Sequence, residues 1–270
     1  PGVAGVGRTT GEVAVHHVAH GTGRTVVVLH GAGVDHREPE ACFEPALAAA
    51  GGLRRVYPDL PGHGRTPAPP VLRSEDDVVD VLTGFVEAVA REAGGEPVLL
   101  VGHSAGAHDA RGVAARRPDL VAGLALVCPL VAGGHDVPAH EPVVRDDALG
   151  GADFRGYFVV QTPAMLDRYR RFVEPGAALA DEAANARIGE RWEITGLDDP
   201  AASPYAGPVL VVAGRRDSVV GYAGAVGLLE RYPRATLAVV DGTGHALPHE
   251  RPALLGALLT DWVDGVRADA

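Results

Sequence analysis

The chain has 270 residues, 46% of them hydrophobic and 22% charged, with a formal net charge of −11. That length suits one full-sized domain with a substantial core, and the even spread of charge excludes disordered and fibrous classes. The acidity argues against nucleic acid or an anionic membrane as partner, and because all 24 basic residues are arginine, lysine Schiff bases and lysine-bearing phosphate loops are excluded too.

In chain order, Pro1 to Thr10 is Gly-rich and lacks the apolar stretch of a signal peptide. Glu12 to His17 alternates apolar and polar residues and reads as an edge strand of an opening antiparallel hairpin. Val26 to Leu29 is a buried strand running into the turn His30-Gly31-Ala32-Gly33. Arg55 to Tyr57 is a short strand before the loop Asp59-Leu60-Pro61-Gly62-His63-Gly64. Asp76 to Ala93 spaces its apolar residues at three and four and predicts a helix, with Gly94-Gly95 as its stop. Pro97 to Val101 is a strand, Ala105 to Arg117 a helix ending before Pro118, and Val121 to Val127 the next strand. Pro208 to Ala213 and Thr236 to Val240 supply the last strands, and Leu254 to Val266 a closing helix.

Strands alternating with helices predict an α/β fold with a mostly parallel central sheet flanked by helices. Residues 131–202 break the rhythm: they hold no buried strand, carry many charges and show helical patches at Ala164 to Phe172 and Ala177 to Arg191. A stretch of roughly seventy residues is too long for a bare loop. The expected organisation is one domain, with residues 1–130 and 203–270 as core and 131–202 as a helical cap. No apolar run approaches the roughly 18 residues of a membrane span. Cys42 and Cys128 are far apart and lack metal or disulfide spacing, as suits a reducing cytoplasm.

The segment Gly102-His103-Ser104-Ala105-Gly106 lies between a strand and a helix. A sharp turn there strains the central residue and tolerates only small neighbours two positions away on either side. It lifts the Ser104 oxygen clear of the sheet and places the following N–H groups at a helix N-terminus. The bland alternative is an ordinary capping serine. His245, in Asp241-Gly242-Thr243-Gly244-His245, and Asp217, in Gly214-Arg215-Arg216-Asp217, each follow a later strand. In parallel sheets, reactive groups collect beyond the strands' carboxyl ends. A serine nucleophile, a histidine base and an orienting carboxylate in this order match a strand-turn-helix hydrolase. Asp217 could instead pair with Arg215 or Arg216, and Asp136 is a rival for the acid. The oxyanion donors expected are the N–H groups of Ala105 and Ala32.

Other polar residues read as structural. His30 is expected to hydrogen-bond within its turn, and His16, His17 and His20 read as surface residues rather than a metal cluster. His108, Asp109, His135, His140 and Glu141 could line a pocket, though helix and loop polarity explains them equally.

Taken together, the His30-Gly31 turn, the Asp59 loop, the Ser104 elbow, Gly-x-x-Asp217 and Gly-x-Gly-His245 resemble the α/β-hydrolase superfamily over essentially the whole chain. The stretch Gly214 to His245 looks like a group of uncharacterised bacterial hydrolases of its serine-nucleophile branch. The resemblance implies the α/β-hydrolase fold with a variable cap. Relatives that hydrolyse epoxides or haloalkanes use an aspartate at the elbow, so Ser104 counts against them. Relatives that hydrolyse carbon–carbon bonds usually carry Trp after the histidine, where this chain has Ala246.

The expected activity is hydrolysis of a small-molecule acyl substrate, a carboxylic ester, thioester or lactone, through an acyl-enzyme. No metal or organic cofactor is required. The alternatives are carbon–carbon cleavage or acyl transfer on the same triad, or a non-catalytic ligand receptor.

Overall fold

The computed structural model describes residues 2–6 (backbone), 13–133 and 137–269. The strands are β1 (Gly2–Val6), β2 (Val13–His20), β3 (Arg24–Leu29), β4 (Leu53–Pro58), β5 (Val98–His103), β6 (Val121–Val127), β7 (Val209–Gly214) and β8 (Ala235–Val240). They form one sheet in the order β1-β2-β4-β3-β5-β6-β7-β8, antiparallel at β1 and β2 and parallel from β4 to β8. This is the α/β-hydrolase fold.

The central parallel strands β3, β5, β6 and β7 are near-continuous apolar runs because both faces are buried. Val27, Leu29, Val98, Leu100, Leu124 and Leu126 face one core. Val26, Val28, Leu99, Val101, Ala125 and Val127 face the other. Helices α1 (Arg37–Ala49), α2 (Glu75–Glu92) and α3 (Ala105–Arg116) follow β3, β4 and β5 in turn. The first of the two cores is closed by α2 and α3, the second by α1 and the C-terminal helix. Ser74 caps α2, its side chain accepting from the Asp77 N–H, and three acidic residues in the first turn suit the positive end of the helix.

Between β6 and β7 the chain forms four short helices, α4 (Ala152–Tyr157), α5 (Pro163–Arg168), α6 (Glu174–Ala177) and α7 (Glu182–Gly189), with a π-helical turn over Tyr169–Val173. Three further α-helices lie among the described residues: α8 (Ala223–Arg231), α9 (Leu247–Glu250) and α10 (Pro252–Ala268). No described helix is long and apolar enough to cross a membrane.

The structure corrects several sequence expectations. The strand at 13–20 is interior, because β1 adds outside it as the edge; Glu12 lies outside the described residues. His16 and His17 are therefore buried, not surface residues. They do point to opposite faces: His16 Nδ1 meets Asp59 Oδ2 at 2.9 Å, while His17 packs edge-on against Phe85. His20 is half-exposed and paired with Glu40 at 2.8 Å. The helix sought over 177–191 begins only at Glu182, because Asp181 caps it by accepting from the Ala184 N–H. Helices α1, α4 and α8 escaped detection. Pro45 interrupts the pattern of the first, α4 is short, and Gly224 and Gly227 weaken the last.

Candidate active site

Passing along the chain, β4 adds on one side of β3 and β5 on the other. The turns leaving β3 and β5 therefore diverge and open a crevice, the place where parallel sheets bind ligands. Only Ser104 separates β5 from α3. It adopts φ +56° and ψ −120°, a strained conformation for a side chain with a Cβ, and its N–H donates to the Val127 carbonyl at 3.0 Å.

Packing demands the flanking glycines. A Cβ on Gly102 would fall 2.2 Å from the Gly106 carbonyl oxygen, and one on Gly106 would fall 2.3 Å from the His30 carbonyl oxygen. Gly106→Ala is accordingly expected to destabilise the fold by about 3 kcal/mol, the upper range of overpacking, because backbone must move. An unaltered urea midpoint would show that the turn has slack.

Ser104 does not cap α3; its hydroxyl instead lies 2.9 Å from His245 Nε2. His245 Nδ1–H donates to Asp217 Oδ2 at 2.8 Å. The other Asp217 oxygen accepts the Val219 and Val220 N–H groups at 2.9 and 3.0 Å. Burial raises the cost of an Asp217 charge, but hydrogen bonding and attraction to His245, with those amides, hold its pKa below the usual carboxylate value. Neither neighbouring arginine competes: Arg215 lies over the Tyr222 ring and Arg216 reaches Glu141. Asp136 and His135 lie outside the described residues.

Ala32 and Ala105 both line the cavity beside Ser104, and neither N–H donates within the backbone network of the described residues. His30 is structural: it accepts the Leu60 N–H at 2.9 Å and donates to the Gly31 carbonyl at 2.7 Å. Asp59 accepts from His16, His36 and the Arg65 N–H, tying its loop to β2 and α1. The His16, His36 and Asp59 ligand atoms lie close enough together to hold a metal ion. Here the Nδ1 atoms of both rings are spent on Asp59.

Two cavities meet at the site. The larger, about 590 Å³, is bounded by Ala32, Ala105, Leu60, Leu130, Ile188 and Trp192, among others. The smaller, about 240 Å³, holds Ser104 and His245 with Glu38, Tyr157 and Val219.

The model of the alpha/beta hydrolase family matches residues 26–258, most of the chain. The chain belongs to that family. It is 25% identical over 281 residues to a 2-(acetamidomethylene)succinate hydrolase of Mesorhizobium japonicum, covering 94% of this chain and 93% of that one. It is 30% identical over 269 residues to a pimeloyl-(acyl-carrier protein) methyl ester esterase of Aromatoleum aromaticum, covering 89% and 98%. Among solved structures it resembles an alpha/beta superfamily hydrolase of Oenococcus oeni, with TM-score 0.82, 25% identity and coverage of 94% and 96%.

Sequence reasoning missed the residues that hold this hydrolase's site together. His103 Nε2–H donates to the His245 carbonyl at 3.1 Å, fixing the loop that carries the imidazole. Glu250 joins two elements. One oxygen accepts the Val159 and Val160 N–H groups, and the other accepts the Thr243 hydroxyl and the Gly244 N–H. Glu38 accepts from Tyr157 at 2.7 Å and from His249 at 3.0 Å. Burial opposes its charge, yet these donors hold its pKa down to about 2. No local pattern marks these residues, because each acts on a segment distant in sequence. Of the residues suggested as pocket lining, Asp109 faces the larger cavity. His108 bonds the Trp192 carbonyl, and His140 bonds Ser218.

Proposed function

We propose that the protein hydrolyses carboxylic esters, thioesters or lactones through an acyl-serine intermediate. The observation that carries this reading is the unbroken hydrogen-bond chain Ser104–His245–Asp217, with Ser104 and His245 lining the smaller cavity. Ser104 Oγ attacks the carbonyl carbon while His245 Nε2 takes its proton. The Ala32 and Ala105 amides hold the tetrahedral oxyanion. Collapse breaks the bond to the leaving group, which receives the proton from His245. Water then attacks the acyl-enzyme by the same route and regenerates Ser104. His103 acts as a positioning residue, through its bond to the His245 backbone.

In this reading residues 131–202 serve as a cap over the site. Support comes from the apolar cluster of Phe154, Phe158 and Leu166, which packs on Ala246 beside the imidazole. The two free, buried cysteines suit a cytoplasmic protein. The second reading keeps the triad for carbon–carbon cleavage or acyl transfer. The succinate of the first relative's name carries carboxylates, whereas no arginine borders either cavity here among the described residues. That contrast, and the methyl ester esterase among the relatives, favour an ester.

A fluorophosphonate probe tests the proposal. Ser104 Oγ should form a bond to phosphorus with loss of fluoride, giving one adduct per chain at Ser104 by peptide mapping and none in His245→Ala. A folded sample that stays unlabelled points to a receptor instead.

A further inference from the structure

The larger cavity is apolar for most of its surface, but its wall also carries Asp109 and Glu75. Asp109 follows Ser104 by five residues on α3, a rise of about 7.5 Å along the axis. Its side chain is 1% exposed, and Oδ1 has no hydrogen-bond partner. A buried acceptor left unpaired is costly, and its usual remedy is a donor. Glu75, the first residue of α2, brings a second carboxyl into contact with it. Burial, then the nearby Glu75, push Asp109 well above the usual carboxylate range, and burial also raises Glu75. The two therefore share one proton and keep one negative charge. Among the described residues, nothing in the lining offsets that charge. No arginine borders the cavity, the exposed Glu182 adds another carboxylate, and burial holds His63 neutral, with its pKa down to about 4.

We propose that the larger cavity receives a substrate arm ending in a protonated amine, held by Asp109 and Glu75, and that the same pair rejects arms ending in a carboxylate. The apolar walls take the methylenes between the reacting carbonyl and the ammonium group. An ammonium supplies the donor that Asp109 Oδ1 lacks and the charge that the pair lacks, which a hydroxyl or an alkyl end would not do. A terminal carboxylate would meet like-charge repulsion from the pair. This inference rests on Ser104 being the nucleophile, not on the identity of the leaving group.

The test uses three fluorophosphonates that differ only at the end of one alkyl chain: methyl, ammonium or carboxylate. The measured quantity is the second-order rate of Ser104 labelling. The ammonium probe is expected to label at least about tenfold faster than the methyl probe, and the carboxylate probe at least about tenfold slower. In the double variant Asp109→Asn/Glu75→Gln, which removes the charge that either single substitution would leave on the remaining carboxylate, the ratio of ammonium to methyl rates should fall toward one. A variant damaged in folding would slow both probes together and leave that ratio intact. Equal rates for all three probes in the wild type, or a faster carboxylate probe, overturn the inference while Ser104 keeps its role. Failure of all three to label Ser104 overturns the proposed function, and this inference with it.

Discussion

Asp217→Asn is expected to lower kcat by about 10⁴ with little change in folding. The reason lies in which oxygen does what. Asp217 Oδ1 accepts two backbone N–H groups, from Val219 and Val220. An asparagine must therefore present its carbonyl oxygen to them, which turns its NH2 toward His245 Nδ1. That nitrogen would then accept instead of donate, and the ring proton would move to Nε2. The tautomer is wrong for taking the Ser104 proton, although every heavy atom keeps its place. Ser104→Ala should be as damaging or more so, since triad members act as a unit. Stopped-flow or steady-state turnover of a reactive aryl ester, with circular dichroism as the folding control, measures both. A loss of less than tenfold in Asp217→Asn would remove the acid from the mechanism.

Acidification from pH 6.5 to 4 is expected to unfold or nearly unfold the protein. His63, His103 and His108 are at most 8% exposed, and burial holds each pKa down to about 4. Secondary contributions come from His30, His245 and Arg111, respectively. A histidine whose folded pKa is depressed keeps its full contribution above the unfolded value of about 6.5. That contribution is lost as pH falls, because the unfolded chain binds the proton and the folded one resists it. By pH 4 each residue costs on the order of 3 kcal/mol, and three together approach the whole stability of a domain. His36 acts in the opposite sense. Burial opposes its charge, but Asp59 raises its pKa, so its contribution is complete below the unfolded value and is lost as pH rises. Burial opposes the charge of His249 as well, but Cys42 and Glu38 raise its pKa to about 10, so both contributions are already complete at pH 6.5 and offset nothing as the pH falls further. Urea unfolding at a series of pH values should show stability rising by up to about 4 kcal/mol per pH unit in the steepest part. His108→Gln should remove about a third of that slope. A midpoint constant between pH 6.5 and 4 would refute the account.

Much of the candidate site was legible because it gathers at strand ends, and strand ends leave local marks. Ser104, Asp217 and His245 each follow an apolar run, and two glycines flank the serine for a steric reason that a pentapeptide displays. The parallel sheet was legible for the same cause: strands buried on both faces must be apolar throughout. A boundary slipped where a capping aspartate outweighed periodicity, as in α7, and whole helices went unread where proline or glycine broke the pattern, as in α1 and α8.

From the sequence alone come the fold class, the strand-turn-helix at Ser104 and the placing of Ser104, Asp217 and His245 after successive strands, all consequences of short-range pattern. Only the tertiary structure decided that Ser104 Oγ, His245 and Asp217 meet within 2.9 Å of one another in turn. It alone buried His16 and His17, by laying β1 outside β2. It also brought Glu250 to the 159–160 backbone, Glu38 to Tyr157 and Glu75 to Asp109. A charged residue looks the same in a sequence whether water or another buried carboxyl surrounds it, and the difference is made by chain segments far away.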